Sequence, residues 1–200
     1  MVDANALGWW GVPLAILGGA IRVGTPLLWV SLGETVTEKA GRINLGLEGT
    51  LLMGAMTAFG VSLASGLPWL GVLAAAFVGL LLGALHGVLC SLPRVNDTAM
   101  GIALMLAGSG LAFWLGKPLI QPSAPGLAAI PLGDWSEIAA VKAALGINPL
   151  FLLGLVLAFA TWWALGHTRF GLRLRVVGDS ENAARAFGLS PAAYRVVATA

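Results

Sequence analysis

From Gly49 to Pro93 no aspartate, glutamate, lysine or arginine interrupts the chain. A run of this length suits a bilayer, whose hydrocarbon is crossed by about 20 consecutive apolar residues. It divides at the turn Gly66-Leu67-Pro68-Trp69 into candidate spans over 45–65 and 70–92. Similar runs at 98–115 and 149–165 add two more, and 12–32 a further one. Composition agrees: 58% of residues are hydrophobic and 10% charged, against about 45–50% and 25% in soluble domains. Mean hydropathy is +0.90. The expected fold class is therefore an all-α, polytopic membrane protein of about five transmembrane helices, forming a single membrane-spanning domain over 1–200. The first span is the least regular, because Arg22 sits inside it. Either Arg22 is buried against a partner in the bundle, or the segment 9–20 lies at the interface with Trp9 and Trp10 as anchors. The second reading, which we favour, starts a shorter helix near Gly24.

Basic residues orient the spans. Lys39, Arg42, Arg94, Arg169, Arg173, Arg175, Arg185 and Arg195 fall on one side of the alternation, Lys117 and Lys142 on the other. The first side is expected to be cytoplasmic and the N-terminus external. Residues 117–148 then form an external loop. Pro118, Pro122, Pro125 and Pro131 exclude a regular helix in its first half. Its second half, GDWSEIAAVKAALG, reads as a short helix capped at Asp134, with Glu137 three residues on and Gly146 to end it. A net charge of +2 gives no argument for nucleic acid. The one cysteine, Cys90, can form no intramolecular disulfide. The first residues lack a basic region and a cleavage site, so no signal peptide is expected.

Charge is concentrated in one place. Glu34, Glu38, Lys39, Arg42 and Glu48 lie in the glycine-punctuated stretch GETVTEKAGRINLGLEGTLLMGA, from Gly33 to Ala55. Irregular backbone at such a depth must be buried in protein or face water, and carboxylates there are functional candidates. The alternative is a solvated connector with Glu38 and Arg42 paired at i, i+4. The order of residues (Gly-Glu, then Glu-Lys-Ala-Gly, then Ile-Asn-Leu-Gly-Leu-Glu-Gly) resembles one family. It is the membrane-spanning permease subunit of bacterial ATP-binding-cassette importers, in the ribose and branched-chain amino acid permease superfamily. Within it the chain looks most like the nucleoside and simple-sugar branch, from about Thr25 onward. The resemblance implies a multi-pass protein of the bacterial inner membrane with several partners. These are a separate ATPase subunit that binds the ATP, a second permease subunit in a homo- or heterodimer, and an external solute-binding protein docking on the 117–148 loop. The chain itself would need no cofactor and would not be an enzyme. Family members continue with further spans, so the chain resembles a C-terminally truncated permease. It also has Asn96-Asp97 where many relatives have Asn-Glu.

Residues 169–191 form the other informative segment, a cytoplasmic loop. Asp179 or Ser180 can cap a short helix over 181–187, Gly188 can stop it, and Ser190 with Pro191 can start another. On its residues alone this is a re-entry loop. GDSENAARAFGLSP resembles the superfamily's coupling segment, which inserts into a groove of the ATPase. That resemblance assigns ATPase coupling to Gly178, Asp179, Ala183, Ala184, Ala186, Phe187 and Gly188.

No G-x-x-x-x-G-K-[ST] phosphate loop, H-E-x-x-H, cysteine pair or histidine cluster is present. His86 reads as a packed helix residue and His167 as interfacial. Candidate substrate-path residues are Asn44, Glu48, Asn96 and Asp97, whose amide and carboxylate groups suit the hydroxyls and ring nitrogens of a nucleoside or sugar. Glu48 can equally stabilise the start of its helix. The competing function is an ion-coupled secondary transporter using Arg22, Glu34 or Glu48 without an ATPase.

Overall fold

A computed structural model describes residues 8–134, 141–142 and 145–200, the first four of these by backbone alone. Its fold is helical. Helix α1 runs Gly8–Lys39, α2 Leu47–Ser65, α3 Pro68–Leu89, α4 Asp97–Gly116 and α5 Pro149–His167. All five are long and apolar enough to cross a membrane. Three shorter helices follow: α6 Arg169–Asp179, α7 Glu181–Ala186 and α8 Pro191–Thr199.

The chain, read from its sequence as one domain, divides into two compact units. The first comprises residues up to Trp29 together with Leu127–Phe159. There the indole of Trp29 donates to the Leu150 carbonyl at 3.1 Å. Gly154 lets α5 approach Leu28 and Trp29, because a Cβ on it would lie 2.7 Å from a Leu28 methyl. Two short strands, β1 Ile130–Pro131 and β2 Gly146–Ile147, pair antiparallel in this unit, with Pro131 opposite Gly146. Gly146 is thus a strand residue. Of the expected helix, Val141 and Lys142 are helical and Leu145 N donates to the Val141 carbonyl at 2.9 Å, whereas Glu137 lies outside the described residues, as do the Trp9 and Trp10 side chains.

One expectation is corrected in α1. It is a single continuous helix of 32 residues, not an interfacial segment followed by a short helix at Gly24. At about 1.5 Å per residue it is about 48 Å long, well beyond the roughly 30 Å of hydrocarbon. It carries Pro13 and Pro26 in its interior. Each proline removes a backbone donor, and near the second the Thr25 hydroxyl donates to the Ile21 carbonyl at 2.7 Å. Hydroxyl side chains of this kind reconcile proline with a helix in lipid. The excess length places Glu34, Glu38 and Lys39 in the last turns of the helix, leaving only residues 40–46 as connector.

The second unit comprises Val30–Gly126 and Ala160–Ala200. Within it α2 packs on both α3 and α4, and α8 lies against the end of α3. With no hydrophobic drive between helices in lipid, close packing of small residues must bring them together. Gly49 of α2 and Gly108 of α4 meet backbone to backbone: a Cβ on Gly108 would lie 2.9 Å from the Gly49 carbonyl. At the far end of α2, buried Ser62 donates to the Pro125 carbonyl at 2.7 Å. The short helices enclose a small core of Ala40, Leu174 and Ala198, backed by Val36, Leu165 and Tyr194.

Candidate functional site

The most tightly built region is the knot where the end of α1, the 40–46 connector, the start of α4 and helices α6–α8 come together. Gly41 turns the chain with φ +77°, and its backbone lies against that of Gly178 at the end of α6. A Cβ on Gly178 would collide with the Lys39 carbonyl, so only glycine allows α6 to meet α1 here. Beyond the turn, Glu34 reaches from α1 to accept the Asn44 amide at 2.9 Å. The Asn44 side chain in turn accepts from Gly46 N at 2.9 Å, holding the residue that precedes α2.

Arg42 stands at the centre. Its side chain is 5% exposed and pairs with Asp97 at 2.8 Å, with the Ser91 hydroxyl at 3.4 Å. The i, i+4 pairing of Arg42 with Glu38 considered from the sequence is therefore replaced by an ion pair to the first residue of α4. Among the described residues, the buried Glu34 Oε2 and Arg42 Nε have no hydrogen-bond partner.

The four path candidates are thus distributed unequally. Asp97 neutralises Arg42. Asn96 caps α4, its Oδ1 accepting from Ala99 N at 3.0 Å. Asn44 is buried in the connector. Glu48 alone is exposed without a hydrogen bond or ion pair to the described residues, in the first turn of α2. An apolar groove of about 490 Å³ opens elsewhere between α2 and α4, lined by Met56, Phe59 and Phe113, with Ser109 contributing a hydroxyl. Such a lining offers a polar solute little.

Helix α7 is the projecting part of the knot. Ser180 caps it, accepting from Ala183 N at 3.3 Å, while Asp179 ends α6. Gly188 (φ +72°) turns the chain out of it, and Ser190 caps α8 by accepting from Ala193 N. Glu181 bridges two helices, bonding Arg185 at 2.6 Å and Arg195 at 3.0 Å. Arg195 Nε continues to the Ala40 carbonyl at 3.2 Å. The end of α1 is so linked to α7 through one α8 side chain. The coupling candidates again divide. Ala184 is 0% exposed, packed inside the chain's own fold, and Gly178 is used against α1. Phe187 is 77% exposed, and Ala186 and Gly188 beside it are exposed too.

Sequence reasoning missed Arg195 and the Asp97 partnership of Arg42. It also missed α6, though Phe170, Leu174 and Val177 carried the i, i+4, i+7 signal of a helix with one buried face. Among the described residues no group of three or more His, Cys, Asp or Glu is placed to hold a metal.

The guanidiniums of Arg185 and then Arg195 hold the Glu181 carboxyl below its usual range. A depressed carboxylate stabilises its surroundings above its unfolded pKa and ceases to as pH falls through the folded value. The links between α7 and α8 should therefore be intact at neutral pH and loosen only below about pH 4. Hydrogen exchange over 181–195 should quicken there, and Glu181→Gln should show the faster exchange already at pH 7. The change should be modest, because the side chain is 42% exposed.

These features define a polytopic α-helical membrane protein with a compact, charge-linked knot at one end of its helices. More specifically, the chain belongs to the family described as branched-chain amino acid transport system, permease component, which it matches over residues 15–200. It is 30% identical to the guanosine ABC transporter permease protein NupQ of Bacillus subtilis over 197 residues, covering 88% of this chain and 59% of that protein. It is 30% identical to the nucleoside ABC transporter permease protein NupC of Lactococcus lactis over 194 residues, covering 90% and 61%. It is 29% identical to the putative glucose ABC transporter permease protein TsgC13 of Haloferax volcanii over 188 residues, covering 92% and 57%. The chain spans about three-fifths of the length of these relatives. No solved structure matches it.

Proposed function

We propose that this chain contributes the membrane-spanning part of an ATP-driven importer for a nucleoside or simple sugar, with hydrolysis on a separate ATPase subunit. The observation that carries this reading is the exposed Phe187 on a short helix that is itself fixed to α1 through Glu181, Arg195 and Ala40. A phenylalanine left in the open on a rigid knuckle suits a hydrophobic anchor for a partner's pocket, and its fixed mounting suits transmission of movement to α1. The nucleoside and glucose relatives support the solute class. In this reading the knuckle faces the cytoplasm of a bacterial inner membrane. A second permease subunit completes the path, and an external binding protein delivers the solute. Glu48 is the path residue best supported, because its carboxylate is exposed and not engaged by any of the described residues.

The test is co-purification of the chain, expressed with its cognate ATPase, after mild-detergent extraction. Burial of a phenylalanine is worth about 1.5–3 kcal/mol, so Phe187→Asp should reduce ATPase retention at least about tenfold. Membrane abundance should be unchanged, since the side chain supports nothing within the chain. Retention equal to wild type would refute the docking role. Ala184→Glu is not a clean substitute, as it would place a carboxylate inside the knuckle itself.

A further inference from the structure

Helix α6 begins one residue after α5 ends, with Thr168 between them accepting from Gly171 N at 3.1 Å. It therefore starts where a membrane-crossing helix finishes. Its inner face is settled: Gly171, Leu174 and Val177 are buried. At 100° per residue, Leu172 and Val176 run along the opposite face. Arg169 and Arg173 flank them on one side, and Arg175 and Asp179 on the other. Leu172 is 57% exposed, and the three arginines are exposed around it. Arg173 meets the Tyr194 hydroxyl at 3.3 Å. Arg169 and Arg175 have no hydrogen bond or ion pair to the described residues. One turn back on α5, Trp163 is 53% exposed.

Neither bulk water nor hydrocarbon suits this face. Water leaves Leu172 uncovered, and hydrocarbon strands three cations. The boundary between them suits both: the apolar line enters the acyl edge, while the arginine stems extend along it and the heads reach the phosphates. Guanidinium groups bind phosphate oxygens in pairs, and tryptophan is enriched at that depth.

We propose that the outer face of α6 is a binding surface for anionic phospholipid headgroups, held by Arg169, Arg173 and Arg175 around an inserted Leu172. Gly178, at the end of the same helix, is wedged against Lys39 and Gly41. Leaflet charge thus helps fix the platform from which α7 projects. This surface does not depend on the importer reading, since it requires only that the chain span a membrane.

The experiment reads lipid retention by native mass spectrometry of the full chain, equilibrated in micelles with equimolar phosphatidylglycerol and phosphatidylcholine. Each basic residue at an anionic surface is worth about fivefold in binding. The wild type should hold phosphatidylglycerol in preference. Arg169→Gln/Arg173→Gln/Arg175→Gln should lower that preference at least about tenfold, with the Lys equivalents keeping most of it. Lys117→Gln, a basic residue on another element, should change nothing. If the triple variant folds poorly, Arg175→Gln alone should still lose about fivefold, because that side chain has no partner among the described residues to forfeit. An unchanged preference in these variants overturns the proposal. So does a triple variant that keeps its lipid but loses a soluble protein partner, which would make the face a protein-docking surface.

Discussion

Asp97→Ala should destabilise the folded chain by about 3–5 kcal/mol, the cost of leaving one member of a buried ion pair without the other. Arg42 has no other acidic partner among the described residues: its side chain is 5% exposed, its Nε has no hydrogen bond among them, and Ser91 is 3.4 Å away. Guanidinium cannot shed its proton to relieve the cost, as a buried lysine can. Asp97→Asn keeps a hydrogen-bond acceptor and should fall between the alanine variant and wild type. Arg42→Met/Asp97→Ala removes both charges and should recover much of the loss, because a packed apolar pair can replace a buried ion pair at little cost. Thermal unfolding in micelles provides the measurement. A single variant within about 0.5 kcal/mol of wild type, the usual range for surface changes, would show that the pair does not hold α4 to the connector.

Gly49→Val should separate α2 from α4. A Cβ at Gly49 would lie 2.8 Å from the Leu104 carbonyl oxygen and equally close to Met105 Cα and its carbonyl oxygen. All three are backbone atoms, so no rotamer change can relieve the contact, and one helix must move. Overpacking costs about 1–3 kcal/mol where side chains can adjust and more where they cannot, so a loss of at least about 3 kcal/mol is expected. Gly108→Val should behave alike, since it meets the same backbone from the other side. Gly110→Ala supplies the contrast. Nothing lies within 4 Å of its Cβ, and alanine favours the helix by about 1 kcal/mol. Detergent-solubilised yield and unfolding temperature should fall for the first two variants and hold or rise for the third. Equal behaviour of Gly49→Val and Gly110→Ala would mean that the close α2–α4 crossing is wrong.

The two sets of variants probe different supports of one helix. Asp97 fixes the start of α4 to the connector by charge, and Gly108 fixes its middle to α2 by contact. The first can be replaced by apolar packing and the second cannot.

The amino-acid sequence by itself determined that the chain is helical and membrane-embedded, because apolar length is a local property that needs no partner to be read. The runs later occupied by α2, α3, α4 and α5 are visible as apolar stretches with at most one charged residue each, in the first turn. The capping residues Ser180 and Ser190 and the stop at Gly188 are equally local, and α7 and α8 are built on them. Length also misled: Arg22 suggested a break in α1 that is absent, since a helix of 32 residues extends beyond the bilayer and carries its charged end with it. Only the tertiary structure decided what the polar residues do. Arg42 could have paired with Glu38 four residues away but meets Asp97 across 55 positions. Ala184 and Phe187, three residues apart, differ in exposure, one enclosed and one open. Arg195, paired with Glu181, reaches the Ala40 carbonyl across 155 positions. Pairings of this kind follow from which backbones can approach. Here that rests on glycines whose neighbours come from other helices, so no window of the sequence contains both halves of the contact.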